Sequence, residues 1–226
     1  MKLKQYTVIS GVVETLAVLA IAAFATIAGA RLMVPAQAQQ QPGPSAGDLH
    51  QLALKAGGAA LVHFTPDRSV LYPNLEELAR RSDIVIIGRP VQGGGILRQD
   101  GQFINEQFWV GVQESIKGGF HNGDRIPVVV PGGAYRFSDG SLALVNASGG
   151  KRPECGRSYA FFLYGYGLEN KGYELVGGLQ GVYDLTGPTV QPGEMLPQAP
   201  CVVYYKDMPA NAFLAALHRA MGNNQH

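Results

Sequence analysis

The stretch that decides the fold is RRSDIVIIGRPV, residues 80–91. Two arginines lead into Asp83, four β-branched residues follow at 84–87, and Gly88 comes directly after them. Such a run predicts a buried strand. It is compatible with a parallel α/β sheet in which Gly88 opens a cofactor loop, and equally with an antiparallel barrel. The rest of the chain decides between the two.

The segment between residues 92 and 206 favours the barrel. A doubly wound parallel sheet needs a helical connection after nearly every strand. Here no stretch shows a helical period, and glycines interrupt nearly every window long enough for a helix. Strands are predicted at residues 84–87, 108–116, 126–130, 158–164, 173–176 and 182–185. We therefore expect a mainly β protein, a small antiparallel OB-like β-barrel of five to six strands.

Glycines mark the connections, and one helix is expected at each end of the barrel. Residues 93–95 are all glycine and predict a long, flexible connection. Asn74 is placed to cap a short helix, with Glu77 at its third position. An amphipathic helix over 207–222, capped by Asp207, is expected to pack on the barrel. The barrel domain itself is expected over 72–206.

The N-terminal region is expected to target the chain rather than to fold. Two lysines precede an apolar stretch over 15–30, and small-residue cleavage patterns follow at 28–30 and 36–38. Residues 1–38 therefore predict a cleaved signal peptide or a retained N-terminal membrane anchor. Residues 39–71 are expected to be a polar tether and a poorly defined segment, in which 49–62 form either a short helix broken at the Gly57–Gly58 pair or more tether.

Localisation and charge narrow the partners. The body of the protein is expected outside the cytoplasm, periplasmic, secreted or anchored to the membrane through the N-terminal segment. Removing residues 1–38 takes away three basic residues and one acidic residue, which changes the formal net charge from +1 to −1. We therefore expect no nucleic-acid partner.

Both cysteines lie in the mature part of the chain. In an exported protein Cys155 and Cys201 predict one disulfide, closing a loop of roughly 45 residues and contributing about 3–4 kcal/mol. The alternative is two unpaired thiols, because spacing alone does not bring the two Cβ atoms together.

The order of several short motifs resembles a known module. LEELARRSDIVIIGRPV, FWVGVQESIKG, GDRIPVVVPGG, CGRSYAFFLY and YELVGGLQGVYDL follow one another over roughly residues 74–186. The order is seen in many exported bacterial proteins and is similar to the netrin-like module, the OB-type barrel of tissue inhibitors of metalloproteinases. The resemblance implies a barrel and a structural signature made of Asp83, Gly88, Lys117, Gly118, Gly132, Gly133, Gly156, Tyr159, Gln180 and Gly181.

The resemblance does not carry an activity with it. Netrin-like modules are usually cross-linked by several disulfides, whereas this chain has two cysteines. The inhibitor family acts through an N-terminal cysteine that chelates the zinc of its target. Neither expected mature N-terminus has a cysteine near it, so inhibition by that route is not expected.

Catalytic motifs are sparse. Ser148 and Lys151 match S-x-x-K, but the two glycines between them disfavour the helix that this chemistry needs. The five histidines do not share ligand spacing on any one element. We therefore expect no catalytic residue, no metal and no cofactor. The competing hypothesis is an envelope hydrolase whose site is built by tertiary convergence around Ser148, Lys151 and His121.

Aromatic side chains offer a binding surface. Trp109 lies in the opposite strand phase from Phe108 and Val110, which predicts an outward ring. OB barrels use exposed rings as platforms for ligands. We take Arg89, Trp109, Tyr135 and Arg136 as the candidate binding surface. The expected function is a non-catalytic module that binds an envelope protein or a glycan.

Overall fold

The structure, a computed structural model, describes residues 6–8, 48–65, 70–165, 172–194 and 199–222. The helices of these residues are α1 (Leu49–Lys55), α2 (Leu75–Arg81), α3 (Pro200–Tyr205) and α4 (Ala210–Gly222). The strands are β1 (Tyr6–Val8), β2 (Ala59–Phe64), β3 (Ile84–Leu97), β4 (Ile104–Lys117), β5 (Arg125–Pro131), β6 (Gly133–Arg136), β7 (Leu142–Ala147), β8 (Tyr159–Tyr164), β9 (Tyr173–Leu175), β10 (Val182–Asp184) and β11 (Gln191–Pro192). The protein is mainly β, as the sequence predicts.

The strands form two sheets. The larger has the order β11-β10-β8-β3-β4-β5-β9, and β9 also pairs with β8. Strand β8 therefore pairs with both β3 and β9, and β5 runs parallel to β9, so five strands form a ring of pairings. The smaller sheet has the order β1-β2-β7-β6. The architecture is thus larger than a small barrel of five to six strands.

The deciding stretch is uninterruptedly apolar because both of its faces are buried. Ile84 and Ile86 belong to the apolar cluster enclosed by the ring of strands. Val85 and Ile87 face the opposite side and pack in the cluster formed with α2, α3 and α4. A strand buried on both faces loses the polar alternation that marks a half-exposed strand. Gly88 continues the strand opposite Val112 and opens no helix.

Helix α2 has the predicted cap at its N-terminal end, and a lysine of β4 binds its C-terminal end. The Asn74 side chain accepts a hydrogen bond from the backbone N–H of Glu77 at 2.8 Å, which confirms the predicted cap. At the other end, the Lys117 ammonium donates to the backbone carbonyls of Ala79 and Ser82. A cation at that end also complements the helix dipole. Lys117 therefore fixes the junction between α2 and the first ring strand.

The smaller sheet and its helix include residues 49–62, for which the sequence allowed either a short helix or a tether. Residues 49–55 form α1, which the turn at Gly57 and Gly58 ends, and β2 follows at once. Strand β2 pairs in parallel with β7 over six residues and antiparallel with β1 over three. Folded structure therefore begins well before residue 72. Apart from residues 6–8, the predicted signal or anchor segment lies outside the described residues.

The three glycines at 93–95 do not form a flexible connection, so that prediction was wrong. They continue β3, whose pairing with β4 extends to Leu97 opposite Ile104. At Gly95 the backbone comes so close to the carbonyl of Ala134 on β6 that any Cβ would overlap it. Residues 93–108, the far part of the β3–β4 hairpin, are called the hairpin arm. Phe103 and Ile104 of this arm pack in the apolar cluster of the smaller sheet.

The C-terminal helix forms, but with a different start. Helix α4 begins at Ala210 and buries Phe213 and Leu217 against the core. Asp207 does not cap it, contrary to prediction. Its backbone has φ 61°, and its carboxylate accepts a hydrogen bond from the Gln191 side chain at 2.7 Å. Helix α3, within the range expected to lack helices, was missed because it has only six residues.

Within the described ranges, no helix has the length and apolar character needed to cross a membrane. The apolar stretch over 15–30 lies outside those ranges.

The contact at Gly95 predicts a sharp difference between neighbouring glycines. Gly95→Ala should lower the free energy of unfolding by about 2 kcal/mol, because the added methyl group must displace the β6 backbone. Gly94→Ala is the matched control, since a Cβ there meets no atom within 4 Å, and it should change stability by less than about 0.5–1 kcal/mol. Urea denaturation measures both. Equal effects at the two positions would contradict the close approach.

Candidate functional site

A cleft of about 830 Å³ lies where the hairpin of β3 and β4, the loop before β8 and the end of β2 meet. The hairpin contributes Gly93, Glu106 and Phe108, and β2 contributes His63. Residues 146–155 form one wall, and residues of β10, β11 and their surroundings close the other. The volume is within the range typical of small-ligand sites.

An ion pair between two residues that are far apart in the sequence lies in the cleft. The Arg152 guanidinium contacts the Glu106 carboxylate at 2.7 Å, and the side chains are only 28% and 23% exposed. Burial raises the pKa of Glu106 above its usual value, and Arg152 opposes that rise. The pair fastens the loop before β8 to the hairpin. It also presents matched charges to anything that enters the cleft.

A second charged group lies at Arg157. Its guanidinium contacts Asp184 at 2.7 Å and Glu154 at 3.4 Å. The Asp184 carboxylate raises the pKa of Arg157. The Nε atom of Arg157 is buried and has no hydrogen-bond partner within the described ranges. One donor of this side chain is therefore unsatisfied.

Glycine backbones form part of the cleft wall. Gly149 has φ 75°, and the Lys151 N–H donates to the carbonyl of Gly193 at 2.7 Å. A Cβ at Gly150 would overlap the Leu179 side chain, so the wall approaches the 3-10 turn at Gly178–Gly181 closely. The Lys151 side chain is exposed on this wall, and in the described part of the chain it forms no ion pair. The other two cationic side chains of the lining, Arg152 and Arg157, are both in ion pairs.

The three residues of the hydrolase hypothesis are not brought together. Ser148 and Lys151 both line the cleft, on a loop rather than a helix. His121 lies in the turn between β4 and β5, with its ring 88% exposed, where it contacts Asp124. That turn is at the far end of β4 from Phe108, so His121 is not positioned to act on a ligand in the cleft.

The predicted disulfide between Cys155 and Cys201 was wrong, because both residues are free thiols. Cys201, on α3, is fully buried in the apolar cluster beneath the helices, and this burial raises the pKa of its thiol. Cys155 is exposed in the loop that lines the cleft. One side chain points into the core and the other lies at the surface. The disulfide was predicted from export alone, which carries no information about the direction of the two side chains.

The candidate binding surface is divided between the two sheets. Arg89 and Trp109 lie on β3 and β4, and Tyr135 and Arg136 lie on β6. Trp109 is 42% exposed, in the outward phase that the sequence predicts. Tyr135 packs edge-to-face on Phe137 instead of standing free. A role for these residues in binding stays a prediction.

The residues of the structural signature, taken from the resemblance to the netrin-like module, form contacts inside the fold. The Asp83 carboxylate accepts a hydrogen bond from the Gly165 N–H at 2.7 Å, and the Tyr159 hydroxyl accepts one from the Glu154 N–H at 2.9 Å. Gln180 is buried and bonds the backbone at Val70, Tyr72 and Gly177. The signature glycines at which a Cβ would come within 3.0 Å of a neighbouring atom are Gly88, Gly118, Gly132 and Gly181. Gly133 and Gly156 have φ of 143° and 84°.

Sequence reasoning missed the charged pair in the cleft. Glu106 lies in the same strand phase as Ile104, Phe108 and Val110, all of which are buried. A carboxylate on the inward phase of a strand needs a partner, because an isolated buried charge is costly. That signal was present in the sequence, whereas nothing local to Arg152 or His63 pointed to the cleft.

No protein-family model and no curated protein matches this sequence.

The ion pair predicts a pH-dependent stability. Arg152→Met should lower the free energy of unfolding by about 1–3 kcal/mol at pH 8, because Glu106 is then ionised without its partner. Burial already holds the folded-state pKa of Glu106 above its ordinary value of 4.5, and losing Arg152 removes the opposing influence. The free energy of unfolding of the variant should therefore fall as the pH rises from the ordinary pKa of 4.5 to the raised folded-state pKa of Glu106.

The control is the double variant Glu106→Gln/Arg152→Met, which has no carboxylate to titrate at this position. Its free energy of unfolding should lack the fall with rising pH that Glu106 causes in Arg152→Met. Thermal unfolding between pH 4 and pH 8 measures all three proteins. The same deficit for Arg152→Met at both ends of the range would show that charge is not what the pair contributes.

Proposed function

We propose that this protein is an exported or N-terminally tethered, non-catalytic module that binds a ligand in the cell envelope through the cleft. The observation that carries the proposal is the composition of the cleft. Its three cationic side chains, Lys151, Arg152 and Arg157, are balanced by three carboxylates, Glu106, Glu154 and Asp184, and within the described residues Lys151 is the one of the three cations outside an ion pair. A lining without net charge favours a neutral polar ligand, such as a glycan or a segment of an envelope protein.

The absence of a catalytic role is part of the proposal. General acid–base chemistry needs a titratable group within reach of the substrate and free to exchange protons. Glu106 and Asp184 are engaged with arginines, and His121 lies at the far end of β4. His63 and Cys155 are titratable side chains of the cleft lining outside these ion pairs. The engagement of both carboxylates supports binding rather than turnover.

We propose further that the ring of β3, β4, β5, β9 and β8 is an OB-type barrel related to the netrin-like module. The closure of β8 on β3 and the parallel pair β5–β9 support this. Strands β10 and β11 and the smaller sheet are then additions to the barrel. The cleft lies between the barrel and those additions, so ligand binding depends on parts of the chain that a bare barrel would lack.

The test is retention of envelope fractions by immobilised protein. Lys151→Glu should reduce retention about tenfold, because it replaces a ligand-facing cation with an anion at the cleft wall. Lys55→Glu is the matched control, since it makes the same charge change on the exposed end of α1 and should leave retention unchanged.

A third variant, Trp109→Ala, separates the cleft from the outward aromatic ring. The cleft proposal expects retention close to that of the wild type. Loss of retention with Trp109→Ala and not with Lys151→Glu would move the site to the outer face of the hairpin. Substrate turnover by the purified wild type against a hydrolase panel would overturn the non-catalytic role.

A further inference from the structure

The outer edge of β2 is covered by the first residues of the chain. Tyr6, Thr7 and Val8 pair antiparallel with Phe64, His63 and Val62 in that order. The inner edge of β2 pairs with β7 along all six residues. The short β1 strand is therefore what satisfies the outward backbone groups at the end of β2.

This inference rests on the proposed function, in which the protein is exported. In an exported protein β1 cannot pair with β2. Cleavage after residue 30 or 38 removes residues 6–8 altogether. Retention of 15–30 as a membrane-spanning anchor places residues 6–8 on the opposite side of a bilayer core about 30 Å thick from β2. In either case the exported chain loses β1, and the outer edge of β2 is vacated.

The vacated edge has none of the usual protection against pairing. Strand β2 has the sequence AALVHF, without a lysine, a proline or an acidic residue. Its register with β7 runs without a bulge. A regular, uncharged edge strand is a template for another extended chain.

We propose that the β2 edge of the exported protein accepts an extended, uncharged strand of a partner polypeptide, antiparallel to β2. This mode of recognition adds a strand to a sheet, with backbone hydrogen bonds for affinity and side-chain positions for selectivity. The segment Tyr-Thr-Val that the structure pairs there represents the chemistry that fits, a short strand without charge.

The cleft extends the same binding path. In the antiparallel register the N-terminal end of the added strand lies at Phe64. The Phe64 carbonyl accepts a hydrogen bond from the Ser148 N–H at 2.8 Å, and both Ser148 and His63 line the cleft. Partner residues that precede the paired strand would therefore reach the cleft. Of the two ligand classes in the proposed function, this continuity favours a polypeptide.

A second copy of the chain is a poorer occupant than a partner segment. In a symmetric antiparallel pair, the residues before β2 of one copy would lie at the Phe64 end of the other. Those residues are the turn at Gly57 and Gly58 and helix α1, which begins at Leu49. They fold back and could not continue as a strand toward the cleft.

The experiment uses the protein as recovered from the cell envelope after full-chain expression, with its N-terminus sequenced. The probe is a labelled peptide with the sequence of residues 4–10, KQYTVIS, and binding is measured by fluorescence anisotropy. Single N-methylations at Tyr6, Thr7 and Val8 remove one backbone donor each. Because alternate donors face the partner strand, Thr7 methylation and methylation of its two neighbours should differ at least tenfold in their effect on the dissociation constant.

Three results would overturn the proposal. They are no peptide binding, equal effects of all three methylations, and an exported protein whose β2 amides are already protected from hydrogen exchange by residues 6–8 or by a second copy. Lys151→Glu separates this inference from the proposed function. In this variant the tenfold difference between the N-methylated peptides should persist, while retention of the envelope ligand falls. Peptide failure with envelope retention intact would remove the strand partner and leave the cleft.

Discussion

The close approach of β3 to β6 at Gly95 is the contact on which the arrangement of the two sheets depends. Because Gly95 has no side chain, the backbone of the hairpin arm lies directly against the Ala134 carbonyl. The arm can then insert Phe103 and Ile104 into the apolar cluster that also contains Val62 and Val145 of the smaller sheet. One hairpin therefore contributes to two cores, and the two sheets cannot shift independently.

The cleft is a consequence of the same arm. A Cβ at Gly93 would come within 2.7 Å of the Phe108 ring, so the arm is narrow where it passes the cleft. Glu106 projects there on the inward phase of β4 and draws Arg152 onto it. The Gly156 N–H donates to the Pro90 carbonyl at 2.8 Å, which is a second tie between the loop and β3. The loop that presents Lys151 is thus positioned by the hairpin.

The sequence predicted the elements whose signals are local. The Asn74 cap, the apolar run at 84–87 and the outward phase of Trp109 each follow from neighbouring residues, and the structure contains all three. Strands β6 and β7 were missed, because their residues alternate weakly and their pairing depends on distant parts of the chain. The glycines at 93–95 were misinterpreted for a related reason. A glycine needed for close packing and a glycine in a flexible loop have the same sequence.

In the candidate site, too, features with a local signal could be predicted from the sequence and contacts between distant residues could not. Ser148 and Lys151 were singled out by a motif that the structure does not support, yet both line the cleft. Glu106 could have been found from its strand phase alone, because a carboxylate among Ile104, Phe108 and Val110 requires a partner. The identity of that partner could not be found, because Arg152 is 46 residues away along the chain. Tertiary proximity of this kind leaves no local trace.

The edges of the described sheets differ in a way that bears on function. Strand β11 is two residues long and contains Pro192, and β6 ends in Arg136 and lies against the hairpin arm. Short length, proline, charge and coverage are the usual means of keeping an edge from pairing. Strand β2 has six uncharged residues and depends on β1 for its cover. Strand β2 therefore differs from the other outer edges of the described sheets, because another strand, and not its own length or composition, is what covers it.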